Sequence, residues 1–136
     1  MITVRNLDLP LISDKITEGK GNCFLVAILD QCRRPEIIIR LPTSTKEIVK
    51  DKNGHMQLRH AVRTFRNTAD HPNAGQFRRN YQNYAAIANN ESWDQYWERM
   101  SQDREWADYI FIQATAWFLN HDIMIITTSN EQESLV

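Results

Sequence analysis

The chain has 136 residues, 42% of them hydrophobic, enough for a real core in what reads as one domain over 1–136. Charged residues make up 24% and the formal net charge is -1, so bulk electrostatics argues against a nucleic-acid partner. No apolar run approaches a membrane span, and two cysteines with four dispersed histidines offer no metal-ligand spacing.

From Met1 to Ile12, apolar residues recur mostly every second position, as in a short strand or an extended arm, with Pro10 confining it to an edge. A glycine-flanked turn, Gly19-Lys20-Gly21-Asn22, then delivers Cys23 to the start of a predicted helix over Asn22–Gln31. Its buried stripe is Phe24, Ala27 and Ile28, with Leu25 and Leu29 beside it, and Pro35 ends it. Backbone N–H groups at a helix start are unpaired and favour negative charge. A cysteine there is favoured as the thiolate, its nucleophilic form, and the same N–H groups suit an oxyanion formed when sulfur attacks a carbonyl. The plainer reading is a small hydrophobe opening a core helix. Cys23 and Cys32 face away from each other on this helix and are not expected to form a disulfide. With no disulfide framework and no charged-then-apolar leader, a reducing, cytoplasmic setting is expected.

Ile37-Ile38-Ile39 followed by Leu41-Pro42 reads as a strand or a buried turn. Ser44 and Glu47 have capping-box spacing and predict a brief helix over Thr45–Lys50; Asn53-Gly54 predicts a turn. The rest is mostly helical. Leu58, Ala61, Val62 and Phe65 mark one amphipathic helix, stopped near His71-Pro72, and Phe77, Tyr81, Tyr84 and Ala88 mark another. Ser92 with Gln95 forms a capping box for a short helix burying Trp93, Trp97 and Met100. Asp108 caps a further helix with the stripe Ile110, Ala114, Trp117 and Phe118, and Asn120 is its stop. Ile123–Ile126 reads as a strand buried on both faces. Such a strand needs partners on both edges, and only two weak candidates precede it. The expectation is a sheet completed beyond the residues present or by a partner. Tyr81 and Tyr84 are the aromatics best suited to a partly exposed surface; Trp93, Tyr96, Trp97, Trp106 and Trp117 are expected in the core.

Two segments together resemble the OTU (ovarian tumour) family of cysteine proteases, most of which remove ubiquitin. Gly19-Lys20-Gly21-Asn22-Cys23-Phe24-Leu25-Val26-Ala27-Ile28 is similar to that family's D-G-N-C-L-F-R-A-[IL] turn and helix. Tyr96 to Met100, then Trp106-Ala107-Asp108, Gln113-Ala114 and Leu119-Asn120, resemble its Y-x-x-x-M, W-G-D-x-x-x-L-x-A and L-N before a buried strand. Leu58-Arg59 and Val62 sit where the family has its L-R-x-x-V helix. The match covers about 19–126, with 33–57 as a longer connection whose role, a lid, a substrate-contacting loop or a neutral insertion, stays open.

The resemblance implies an α+β, papain-like OTU domain, helices packed around a small, mostly antiparallel sheet and truncated at the C-terminus before its last strands and catalytic histidine. It implies Cys23 as nucleophile and the Lys20, Gly21 and Asn22 turn as the oxyanion-hole loop, with no cofactor and no metal. Lys20 replaces the family's aspartate and places a positive charge three residues before the cysteine. Ala107 replaces a glycine and Tyr109 a common histidine, while Trp106 and Asp108 are expected to have structural roles. The general base is unknown. In the family it follows the buried strand, and no histidine follows His121, which stands as the fallback. The implied activity is a deubiquitinase cleaving the isopeptide bond at the C-terminus of ubiquitin, or of a ubiquitin-like protein, as a monomer. The alternative is a catalytically incomplete module of the same shape that binds ubiquitin or acts as a scaffold.

Overall fold

Apolar residues along Cys23–Cys32 recur at helical spacing, and in a computed structural model this segment is a helix whose Phe24, Leu25, Ile28 and Leu29 enter the core. The structure describes residues 2–5, 10–12, 21–126 and 133–135. In chain order these form β1 (Ile2–Arg5), β2 (Pro10–Ile12), α1 (Cys23–Cys32), α2 (Pro35–Ile38), α3 (Thr43–Lys50) and α4 (Gly54–Val62). A 3-10 turn (Arg63–Arg66), α5 (Ala74–Asn89), α6 (Trp93–Met100), α7 (Tyr109–Leu119), β3 (Asp122–Ile126) and β4 (Glu133–Leu135) follow.

The core sits between helices. α1 packs on α4 and β1, α4 packs on α7, and α5 packs on α6 and the 3-10 turn. Leu25, Ile28, Leu58, Phe65, Phe77, Trp97 and Phe111 are fully buried. Phe77 meets Phe65 and Trp117 at ring-centroid distances of 5.2 Å each, and Tyr96 meets Trp97 at 5.2 Å. Truncating a buried aromatic such as Trp97 costs about 3–5 kcal/mol.

The four short strands pair antiparallel in the order β2-β1-β3-β4. Pro10 opens β2, which lies at the edge, where a missing N–H costs no ladder bond. β3 lies between β1 and β4, and Ile123 is buried. The second edge of β3 is taken by Glu133–Leu135, so both neighbours of the strand come from this chain and not from beyond the residues present or from a partner.

Several helix boundaries match the sequence reading, and their chemistry is visible. Ser92 accepts from the Gln95 N–H at 3.1 Å while the Gln95 side chain accepts from the Ser92 N–H at 2.9 Å, the reciprocal capping box. Asn120 ends α7 in the left-handed conformation, φ 55°.

Other expectations are corrected. Ile37–Ile39 is neither strand nor plain turn: Pro35, whose fixed φ suits a helix start, opens α2, burying Ile37 and leaving Ile39 exposed. Pro35 therefore begins a helix after α1 has already stopped at Cys32. Ser44 does not cap α3, because that helix starts earlier at Thr43 behind Pro42. On α5 the inward position of the expected stripe falls to Ala85 and not to Tyr84, whose exposure agrees with its expected place at the surface. The side chain of Ala88 lies outside the described residues. The 33–57 connection is a packed part of the fold: Ile37, Leu41 and Val49 are buried. Arg33 ties it to α1 by donating to the carbonyls of Val49 and Asp51, each at 2.8 Å.

Candidate active site

Cys23 is the first residue of α1, and its thiol-bearing residue is only partly buried. Cys32, at the other end of the same helix, is buried, and both cysteines are free. Burial pushes the Cys32 thiol up to about 12, against a small opposing effect of the Arg33 charge. The fold therefore leaves one cysteine partly exposed and buries the other.

Asn22 precedes Cys23 and is of a residue type that commonly caps helices, but its side chain makes no capping bond to α1. No acidic side chain lies in the first turn either. Among the described residues no side chain caps the N–H groups beside Cys23, which stands at the positive end of the helix.

The Asn22 amide is instead used to anchor the turn. Its Oδ1 accepts from Arg59 Nη2 at 3.0 Å and from the Arg104 N–H at 3.1 Å; its Nδ2 donates to Asp103 Oδ1 at 2.7 Å. The hydrogen bond from Asn22, joined by the charges of Arg104 and His55, holds the Asp103 carboxyl below its ordinary range. Gly21 lies so close to the same segment that a Cβ would stand 1.4 Å from the Arg104 carbonyl oxygen. Only glycine permits that approach. Arg104 itself is in the left-handed region, φ 67°.

Arg59, on α4, is 1% exposed. Nη1 donates to the Met100 carbonyl at 2.8 Å and Nη2 to the Glu105 carbonyl at 2.7 Å, besides Asn22, with the guanidinium 5.5 Å from the Phe111 ring centroid. Burial pushes its pKa down, and the charges of Asp103 and Glu105 oppose that shift. A second cluster stands beside this one. Arg99 donates to Glu91 and Glu105, with its guanidinium held protonated chiefly by the Glu91 hydrogen bonds. Asp108 accepts from the Phe111 N–H at 2.9 Å, capping α7, and from the Tyr96 hydroxyl at 2.6 Å. Burial, then the Asp108 charge, raises the Tyr96 phenol far above its usual value.

Of the residues singled out in the sequence, Gly21, Asn22 and Cys23 form one continuous turn into α1. Lys20 lies outside the described residues. Asp108 takes its expected cap position, but Trp106 is 55% exposed and is not a core residue. His121 follows the end of α7, its Nδ1 2.7 Å from the Leu119 carbonyl. A carbonyl only accepts, so that nitrogen carries the proton. Phe111, which meets Phe24 at 6.4 Å, lies at the start of α7, roughly 12 Å of helix rise from Leu119. Among the described residues no hydrogen bond joins a histidine to Cys23. His55 is the second residue of α4, and it is the histidine whose charge reaches Asp103. His60 is exposed, and His71 stacks on Phe65 at 4.0 Å with its pKa lowered by burial.

The sequence did not point to Arg59, Asp103 and Arg104 as neighbours of the cysteine turn. The Leu58-Arg59 pair was the one signal, because an arginine next to a core leucine on an apolar helix face calls for an internal acceptor. Among the described residues no three His, Cys, Asp or Glu side chains gather to hold a metal ion, and no helix is long and apolar enough to cross a membrane.

No curated protein and no solved structure matches the chain. A family model does: that of the OTU-like cysteine proteases matches residues 18–136. The match includes the Cys23 turn, α1, the Arg59 helix and the Asp108 cap, and it fits a papain-like fold. This chain belongs to the OTU-like cysteine protease family.

Proposed function

We propose that the protein is a thiol-dependent deubiquitinase acting on the isopeptide bond at the ubiquitin C-terminus. The observation that carries this reading is Cys23 at the first position of α1, partly exposed, with no side chain among the described residues capping the N–H groups around it. Cys23 attacks the carbonyl carbon, and the N–H groups of the Gly21–Cys23 turn receive the charge that develops on the carbonyl oxygen. The amine leaves with a proton, and water then releases the ubiquitin carboxylate from the thioester. Lys20 belongs to the same loop in this reading. The proton carrier is a histidine, with His121 as the fallback. Membership of the OTU-like cysteine proteases supports the reaction class and is the ground for choosing ubiquitin as the substrate.

A second reading has one observation in its favour: no histidine is hydrogen-bonded to Cys23 among the described residues. On that reading the chain keeps the OTU shape as a ubiquitin-binding or scaffolding module without turnover. Ubiquitin bearing a C-terminal vinyl electrophile separates the two. A covalent adduct that disappears in Cys23→Ala supports the protease. Absence of the adduct with retained ubiquitin binding supports the module.

A further inference from the structure

Arg59 takes no part in the chemistry just described, yet its contacts converge on the turn that carries the nucleophile. A guanidinium withdrawn from water is tolerated only where its donors meet acceptors. Two of its acceptors, the carbonyls of Met100 and Glu105, close the segment after α6. Those two bonds alone would join α4 to that segment. The third, to Asn22 Oδ1, adds nothing to the joining of these elements and extends the anchor to the residue before Cys23.

The chemistry of Asn22 fits that use. Its oxygen meets two N–H donors, from Arg59 and Arg104, and its nitrogen meets the Asp103 carboxylate. An aspartate would set two carboxylates against each other, and a serine would lack the second group. Gly21 in turn rests on the Arg104 carbonyl. Arg59 and the Asp103–Glu105 segment together form a seat for Gly21 and Asn22. The segment holds its shape through a left-handed residue, Arg104.

We propose that Arg59 is a positioning residue for Cys23. Through Asn22 it sets how the turn lies on the Asp103–Glu105 segment, and so where the sulfur stands relative to the N–H groups at the start of α1. This rests on the reading of Cys23 as the nucleophile.

The test compares the full chain with Arg59→Lys, Asn22→Ala and the double variant. Lysine keeps the charge but has no planar fork to span three separate acceptors. Asn22→Ala cuts the arm to the turn and leaves both carbonyl bonds of Arg59 in place. Iodoacetamide labelling of Cys23 at pH 7, followed by mass spectrometry, is the first readout, with protection of the buried Cys32 reporting that each variant is folded. Hydrolysis of a fluorogenic ubiquitin C-terminal amide is the second.

Each single variant is expected to slow Cys23 labelling about threefold to fivefold, the scale of a helix-end field. Each lowers kcat about 10- to 100-fold with KM within about twofold, as misplacement of a reacting group does. The double variant matches the worse single one, because both cut the same connection. Unchanged labelling and kcat in both single variants with Cys32 protected, or a double variant whose loss is the product of the two single losses, overturns the proposal. If Arg59→Lys exposes Cys32 to label, Asn22→Ala decides by itself. A wild-type chain that does not hydrolyse the ubiquitin amide counts against the protease reading, while the labelling comparison still decides the role of Arg59.

Discussion

Arg59 Nη2 stands 3.0 Å from the Oδ1 of Asn22, a contact between a buried arginine on α4 and the residue immediately before Cys23. It explains why Asn22 makes no cap on α1: its amide is committed to Arg59, Arg104 and Asp103. The residue before Cys23 is thereby anchored to α4 and to the 103–105 segment.

Gly21→Ala tests how closely the turn is seated. The added Cβ would meet the Arg104 carbonyl at 1.4 Å, so one backbone segment has to move. The expected loss is about 1–3 kcal/mol, the usual range for an overpacked site. Urea denaturation read by tryptophan fluorescence measures it, and an unchanged midpoint would mean that the turn is not held against residue 104.

Arg104, at φ 67°, is a non-glycine residue in the left-handed region and is exposed to solvent. Arg104→Gly is expected to raise stability by about 0.5–1 kcal/mol, and Arg104→Val to lower it by about 1–2 kcal/mol, because a β-branched side chain tolerates this backbone poorly. Thermal melting of the two variants should therefore move in opposite directions. Movement in the same direction would show that the Arg104 side chain, and not its backbone, matters.

Asp108 combines a helix cap with a partner for a buried phenol. Removing the carboxylate in Asp108→Ala takes away the acceptor of the Phe111 N–H and leaves the Tyr96 hydroxyl unmet. The expected loss is about 2–3 kcal/mol, roughly 1 for the cap and the remainder for the unmet hydroxyl. In a Tyr96→Phe background the same change should cost measurably less. Equal costs in the two backgrounds would separate the cap from the phenol.

Cys32 gives a pH dependence with a definite sign. Its folded pKa of about 12 lies above its ordinary value of 9.0, so the fold retains a proton that the unfolded chain has lost. Its contribution is fully present below pH 9 and declines as the pH rises toward 12. Cys32→Ala should flatten the fall of stability over this interval, measured by urea denaturation at a series of pH values. A fall of the same steepness in the variant would place its cause elsewhere.

Local chemistry carried much of the fold in readable form. The Ser92 and Gln95 box, the Asn120 stop and the apolar stripe of α1 depend on neighbours in the chain, and each was visible there. Ile37–Ile39 was misread because three β-branched residues outweighed a proline suited to a helix start. Trp106 was assigned to the core on residue type, yet the backbone before α7 leaves it exposed. At the site, the glycine turn and Cys23 were legible because they lie together in sequence. Arg59 and the Asp103–Glu105 segment reach the turn only through tertiary packing, with separations of 37 and 82 residues in the Arg59 and Arg104 bonds to Asn22. No local pattern encodes such contacts.

Nucleophilic attack of Cys23 on the ubiquitin C-terminus is read by intact-mass analysis of the chain after incubation with ubiquitin carrying a C-terminal vinyl electrophile. A single adduct on Cys23, absent from Cys23→Ala and with Cys32 unmodified, is the result expected. No adduct on a folded chain whose Cys23 still reacts with iodoacetamide would overturn the proposed nucleophile.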